Sequence, residues 1–156
     1  MDLKLYLATP LKSHMKALKT LIVALLITNC SGDSIGSTCN FLPNVTVDAV
    51  INLNLPQFNE LNFTSGVVRL AGQGNAGVYL IRANNQTILA WDGADPAQPL
   101  ASCSTMTLDG TEVSSSCAGD NVYSLFTGGP VSGSTNCTLK PYRVTPIGDN
   151  VFQLSN

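Results

Sequence analysis

Histidine is almost absent from this chain. The 156 residues contain one histidine, His14, and every position after it lacks an imidazole. Imidazole is the usual ligand in zinc, copper and haem sites. It is also the usual base that activates a catalytic serine or cysteine. The sequence after residue 14 therefore argues against a histidine-ligated metal site and against a hydrolase of the Ser–His–Asp type.

Charged side chains are also scarce, at 12% of the chain, whereas hydrophobic residues make up 44%. Four lysines lie before residue 20, and residues 31–156 carry four basic and nine acidic residues, a net charge of −5. A basic stripe that could follow a phosphate backbone is missing, so nucleic acid is not expected as a partner. The apolar content is sufficient for the core of one domain.

The early lysines belong to a targeting segment. Met15 is followed by two lysines and an apolar run over residues 21–27, the layout of a secretory signal that is too short to span a bilayer. We expect residues 1–29 to be this signal, with Met15 the better initiator. The stretch "ITNC" resembles a bacterial lipoprotein signal, which implies that Cys30 is the lipidated first residue of a membrane-anchored protein of the cell envelope. The alternative is an ordinary signal peptide in which Cys30 has no role.

The five cysteines are an odd number, so one needs a separate explanation. If Cys30 carries lipid, four remain for two disulfides in an oxidising compartment: Cys39, Cys103, Cys117 and Cys137. Three pairings are possible in principle. The spacing favours Cys103 with Cys117 across one hairpin, which leaves Cys39 and Cys137 to join the beginning and the end of the domain. A metal site of four thiolates is the disfavoured alternative because the spacings differ from those of zinc ribbons.

The pattern after residue 43 predicts an all-β domain. Residues 30–42 are expected to be the lipidated cysteine and a polar tether, and residues 43–156 the domain. From Val45 to Ile51 apolar residues alternate with polar ones, as in a half-buried strand. Further β-rich runs are separated by turns, and about eight or nine strands indicate a sandwich or barrel. These runs are "SGVVRLA", "AGVYLIRA", "TILAWDG", "STMTLDG", "NVYSLFTGG", "KPYRVTP" and "VFQLSN".

Few of the remaining residues suggest chemistry. Asp92 and Asp95 are a carboxylate pair that could in principle carry out acid–base catalysis, but turn formation is the favoured interpretation in "AWDGADPAQP". The glycine-rich "GQGNAG" lies between strands, so it predicts a hairpin turn and not a phosphate-binding loop. Trp91 is expected to be a core residue.

Three stretches together resemble a Rieske-type iron–sulfur domain, in its bacterial lipoprotein version, from about residue 45 to the end. "LAWDGADPAQPLASCSTM" stands at the first ligand box, "SSCAGDNVYSLFTGGPVSG" at the second box and proline loop, and "TLKPYRVTPIGDNVFQL" at the closing hairpin. The resemblance implies an antiparallel β-sandwich or barrel with a smaller loop-and-hairpin subdomain at its tip.

The residues that define that family are replaced. In the family each box contributes one cysteine and one histidine to a 2Fe-2S cluster. Matched box to box, the ligand positions fall on Asp95, Ala97, Ser115 and Ala118. The two remaining cysteines of the family form a disulfide, and those positions fall on Cys103 and Cys117. The resemblance therefore implies a domain that keeps the disulfide but holds no cluster and no other cofactor.

Three functions remain open at this point. The favoured one is a lipid-anchored, non-catalytic binding or scaffold module of the cell envelope, with an envelope protein as partner and the former cluster loops, residues 95–98 and 118–121, as its exposed tip. The alternative is an electron-transfer protein or oxidoreductase component that holds a 2Fe-2S cluster through atypical ligands. A third is a degenerate domain without a specific ligand.

Overall fold

A computed structural model of the chain describes residues 39–156. The predicted signal peptide, Met15 and Cys30 lie outside the described residues, as does most of the predicted tether. Within residues 39–156, no helix is long and apolar enough to cross a membrane.

Within residues 39–156, ten strands form two antiparallel sheets, which confirms the all-β prediction. The larger sheet has the order β1-β10-β9-β4-β3-β2, and the smaller has the order β5-β6-β7-β8. The strands are β1 (Asp48–Asn52), β2 (Val67–Leu70), β3 (Val78–Arg82), β4 (Ile88–Asp92), β5 (Thr107–Asp109), β6 (Glu112–Ser114), β7 (Val122–Ser124), β8 (Pro130–Ser132), β9 (Pro141–Gly148) and β10 (Val151–Ser155). The count exceeds the predicted eight or nine because β6 and β8 each contain a single apolar side chain and therefore show no period.

Two short 3₁₀ helices complete the described part of the chain, at Pro56–Asn62 and Ser102–Ser104. The first places Phe58 and Leu61 in the core. The sequence did not predict either, because a helix of one or two turns leaves no sustained hydrophobic period.

Strand β9 joins the two halves of the larger sheet. Its first residues, Pro141 and Tyr142, pair with β4, whereas the residues from Arg143 onward pair with β10. The strand therefore changes partner along its length. Side chains from both halves meet in one apolar cluster, which contains Ile51 from β1 and Leu80 from β3.

Strand β3 is buried on both of its faces, which explains the continuous apolar run in "AGVYLIRA". Val78 and Leu80 belong to the cluster inside the larger sheet. Tyr79 and Ile81 belong to a second cluster, which also contains Tyr123 from the smaller sheet. The second cluster thus packs the smaller sheet against the larger one.

The N-terminal residues of the described segment are fixed to the domain. Cys39 forms a disulfide with Cys137, with their Cα atoms 5.3 Å apart, and Leu42 is buried. The side-chain amide of Asn156 donates to the Val45 carbonyl. The last residue of the chain therefore lies beside Val45, and Cys39 lies beside Cys137.

Candidate functional site

The loops that the resemblance matches to the ligand boxes, residues 95–98 and 118–121, lie on either side of the β5–β6 hairpin. We call the longer segments that contain them, residues 94–104 after β4 and residues 115–121 before β7, the tip. The Cys103–Cys117 disulfide joins its two segments, with the Cα atoms 4.9 Å apart. The Ser116 amide also donates to the Cys103 carbonyl, at 3.2 Å. The structure thus contains both disulfides that the sequence spacing favoured.

Asp95 is the central side chain of the tip. It is fully buried, and its two carboxylate oxygens accept three hydrogen bonds. Oδ1 accepts from the Tyr123 hydroxyl at 2.6 Å and from the Ala97 amide at 2.9 Å. Oδ2 accepts from the Asn121 side-chain amide at 3.0 Å. A buried carboxylate needs such donors to offset its lost hydration.

Asn121 carries the network to a third segment. Its side-chain oxygen accepts from the Ser134 amide at 3.3 Å, and its carbonyl accepts from the Ser115 amide at 3.0 Å. Gly133 lies directly over it at φ 107°, where a Cβ atom would come within 2.6 Å of the Asn121 side-chain oxygen. A glycine at 133 is therefore required by both the backbone conformation and the available space.

A second buried carboxylate lies three residues earlier, at the end of β4. Asp92 Oδ2 accepts from the Tyr142 hydroxyl at 2.5 Å and from the side-chain amide of Asn75 at 2.8 Å. Its Oδ1 accepts from the Ala94 amide at 2.9 Å. Asp92 thus connects strands and a turn of the larger sheet, whereas Asp95 connects the segments of the tip.

The two phenols that face these carboxylates are held in their protonated form. Burial raises the pKa of Tyr123, and the hydrogen bond and negative charge of Asp95 raise it further. Burial likewise raises the pKa of Tyr142, with the same two contributions from Asp92. Each phenol is therefore a hydrogen-bond donor to its carboxylate throughout the neutral range.

The other three predicted ligand positions lie around Asp95 but bring no strong ligand. Ala97 contributes its backbone amide to Asp95. The Ser115 hydroxyl is 3.4 Å from the Cys103 carbonyl and accepts from the Cys117 amide at 3.2 Å. The Ala118 carbonyl accepts from the Gln98 side chain at 3.1 Å. Ser115 and Ala118 thus contact the opposite loop of the tip, whereas Ala97 closes a turn within the first loop.

Comparisons with known proteins find no matching family model and no matching curated protein. Among solved structures, the chain is similar to one described as "Complex of reduced oxygenase and oxidized ferredoxin in carbazole 1,9a-dioxygenase". The two share 19% identity with a TM-score of 0.43, over 71% of this chain and 91% of that one.

The donor atoms of the tip do not fit a 2Fe-2S cluster. Such clusters are held by cysteine thiolates, or by two thiolates and two imidazoles in the Rieske type. Cys103 and Cys117 are bonded to each other, and the tip contains no histidine. Among residues 39–156, no group of three or more His, Cys, Asp or Glu side chains is arranged to hold a metal ion. The chemistry of the tip is that of hydrogen bonding and not of metal ligation.

Sequence reasoning missed the partners of Asp95 and the burial of both carboxylates. Each aspartate does form the predicted turn, since each accepts from the amide two residues later. Nothing local in "CAGDNVYS" marks Asn121 and Tyr123 as partners of a residue more than 25 positions away. Trp91, predicted to be a core residue, is partly buried and packs against the second apolar cluster. Its indole nitrogen donates to the Leu125 carbonyl at 2.7 Å, so it ties β4 to the smaller sheet.

One cleft lies beside the N-terminal segment of the described domain and meets the tip at Pro96. It has a volume of about 260 Å³, and its other lining residues are Cys39, Asn40, Leu42, Asn44 and residues 138–141. The Lys140 ammonium in its lining donates to the Pro43 carbonyl at 2.7 Å. The positive charge of this cleft is therefore already engaged with the backbone of the domain.

Proposed function

We propose that residues 39–156 form a cluster-free module with a Rieske-like fold, anchored to the bacterial cell envelope through lipid on Cys30. The module binds or scaffolds an envelope protein through its tip and catalyses no reaction. The lipoprotein-like segment before residue 30 supports the location. The net negative charge after residue 30 supports a partner other than nucleic acid.

One observation carries this proposal. At the position that the resemblance assigns to the first cluster cysteine, the chain has Asp95, and every donor around that carboxylate is a hydroxyl or an amide. A side chain that binds a cluster directs its donor atom at an iron. Asp95 instead faces the side chains of Asn121 and Tyr123, whose own polar groups are directed back at it.

The tip offers a surface suited to protein contacts. Pro99 and Leu100 are exposed, Leu100 to 46% of its full area, and they lie in the loop after Asp95. Ala118 and Asp120 are exposed on the neighbouring loop. The disulfide and the Asp95 network hold both loops in fixed positions. A surface that is already ordered loses little conformational freedom when it binds a partner.

The iron content of the purified protein tests the proposal. The mature protein is prepared anaerobically, beside a Rieske protein carried through the same steps as a control. We expect iron and acid-labile sulfide far below one atom per chain, and no visible absorption. A red-brown protein with two irons and two sulfides per chain would show that the electron-transfer alternative is right.

A further inference from the structure

The donor atoms of the tip do not fit a cluster, and the Cys103–Cys117 disulfide joins its two loops at a single point. We propose that the carboxylate of Asp95 is the cross-link that replaces the cluster, joining the loop after β4 to the beginning of β7. The inference rests on the proposed function only in placing this carboxylate at a former ligand position. The contacts themselves are independent of that assignment.

The contacts of Asp95 span long stretches of the chain. Tyr123 lies 28 positions after Asp95 and Asn121 lies 26 positions after it. Both hydrogen bonds are made by side chains that are themselves buried. Their donors meet a single carboxylate, so removing its charge weakens the bonds to both at once. This is the geometry of a bridge between segments and not of a local turn.

The bridge extends from two segments to three. Through Asn121 it reaches the Ser134 amide beyond β8 and the Ser115 amide before β7. The amide of Asp95 also donates to the Ser104 carbonyl at 2.8 Å. The Cys103–Cys117 disulfide joins two of these segments at a single point. The carboxylate holds the same two segments, and the segment at Ser134, at a second point.

Asp92 supplies a matched comparison within the chain. It is equally buried and also faces one tyrosine and one asparagine, but those are Tyr142 and Asn75 of the larger sheet. Asp92→Asn and Asp95→Asn therefore each remove a buried, hydrogen-bonded carboxylate, the first from the larger sheet and the second from the tip. A specific effect of Asp95→Asn is confined to the tip, whereas a general loss of stability affects the whole domain.

Hydrogen exchange of the mature protein, followed by mass spectrometry, tests the cross-link. In Asp95→Asn we expect amides of residues 94–104 and 115–122 to exchange roughly ten- to a hundredfold faster, as when a charge-assisted hydrogen bond is lost from an opening equilibrium. Amides of β3 should change much less. In Asp92→Asn we expect the larger effect in residues 75–82 and 140–144. Equal acceleration everywhere in Asp95→Asn, or none at the tip, would overturn the proposal.

Two further variants keep the test decisive if Asp95→Asn fails to fold. Tyr123→Phe removes one donor and leaves the carboxylate in place, so it should accelerate exchange at the tip to a smaller extent. The double variant Asp95→Asn with Asn121→Asp exchanges the amide and the carboxylate, which restores a hydrogen bond of reversed direction between them. We expect the double variant to fold and to retain at least half of the wild-type protection of the tip. Unaltered exchange in Tyr123→Phe, or a tip without protection in the double variant, would refute the cross-link.

Because exchange is measured without reference to iron, this result is separate from that of the metal analysis. A protein that contains iron but shows the expected exchange pattern would overturn the proposed function and leave the cross-link standing. A protein without iron, in which Asp95→Asn leaves exchange at the tip unchanged, would overturn the cross-link and leave the proposed function standing.

Discussion

Asp92 and Asp95 each use one side chain for two purposes. One oxygen accepts from the amide two residues later and closes a turn. The carboxylate also accepts from a distant tyrosine and asparagine. The first interaction is visible in the sequence because aspartate at such positions is typical of turns. The second depends on which strands the fold brings together, and no local pattern encodes it.

The hydrogen bond from the Tyr142 hydroxyl to the Asp92 carboxylate leads to a prediction about stability. In Tyr142→Phe the carboxylate loses one of its donors, and we expect the free energy of unfolding to fall by about 1.5–3 kcal/mol. Tyr79→Phe is the matched control, since its hydroxyl is also buried but donates to the neutral Met106 carbonyl at 2.7 Å. That change should cost about 0.5–1.5 kcal/mol. Urea unfolding measures both, and an equal or smaller loss in Tyr142→Phe would contradict the stronger role of the carboxylate.

The three tyrosines of residues 39–156 predict a common response to alkaline pH. Burial raises the pKa of Tyr79, Tyr123 and Tyr142 above the ordinary value of 10.0. The folded state therefore favours the neutral phenols, and this contribution is complete below about pH 10 and is lost above it. When the pH is raised above 10, the absorbance of tyrosinate should increase over the same pH range in which circular dichroism shows the domain unfolding. Three phenols that titrate near pH 10 in the folded protein would contradict the account.

At the scale of single elements, the apolar pattern around a strand decides what the sequence reveals. The longer strands β3, β4, β9 and β10 each lie in an apolar or alternating run, and so do the three-residue strands β5 and β7. The strands β6 and β8 each contain a single apolar side chain, Val113 and Val131, so no period marks them. They are defined instead by pairing across the smaller sheet. Sequence reasoning therefore found the larger sheet more completely than the subdomain that carries the tip.

The two disulfides differ in the length of chain that they close, and this predicts an order of stabilisation. The Cys103–Cys117 pair is separated by 14 positions and the Cys39–Cys137 pair by 98. In the chain-entropy model the shorter loop contributes about 3 kcal/mol and the longer about 4.7 kcal/mol. Replacing both cysteines of a pair by serine should therefore destabilise the domain more for the longer loop. The reverse order in denaturant unfolding would show that native-state contacts, and not the unfolded chain, determine the effect.

The pairing itself is a separate prediction for the protein in solution. Non-reducing peptide mapping should recover Cys103 with Cys117 and Cys39 with Cys137. A mixed pairing, such as Cys103 with Cys137, would mean that the tip is assembled differently. It would also remove the basis for matching these loops to the ligand boxes of the Rieske family.

At the scale of the whole molecule, we propose that residues before the described domain determine the location of the protein. If Cys30 carries the anchor, Cys30→Ser should move the protein from the membrane fraction to the soluble fraction of fractionated cells. The physical reason is that a lipid on Cys30 supplies the apolar surface that holds the protein at the bilayer. The Cys39→Ser and Cys137→Ser double variant is a control that alters cysteines without removing the anchor. Unchanged membrane association of Cys30→Ser would show that the anchor assignment is wrong.

The all-β class and the strands with clear periods could be predicted from the sequence, and the spacing of the cysteines favoured the observed pairing. The arrangement of the tip could not, since it depends on contacts such as Asp95 with Tyr123 that are distant in the chain. The buried hydrogen bonds of Asp95 and Asn121 show that the tip has its own polar core.

The mass of the intact mature protein under native conditions tests the central claim most directly, because it counts the disulfides and any cluster in one measurement. The account predicts the mass of the mature, lipidated polypeptide less four hydrogens for two disulfides, with nothing further bound after anaerobic purification. A mass that is higher by two irons and two sulfides, with the Cys103–Cys117 bond open, would contradict it.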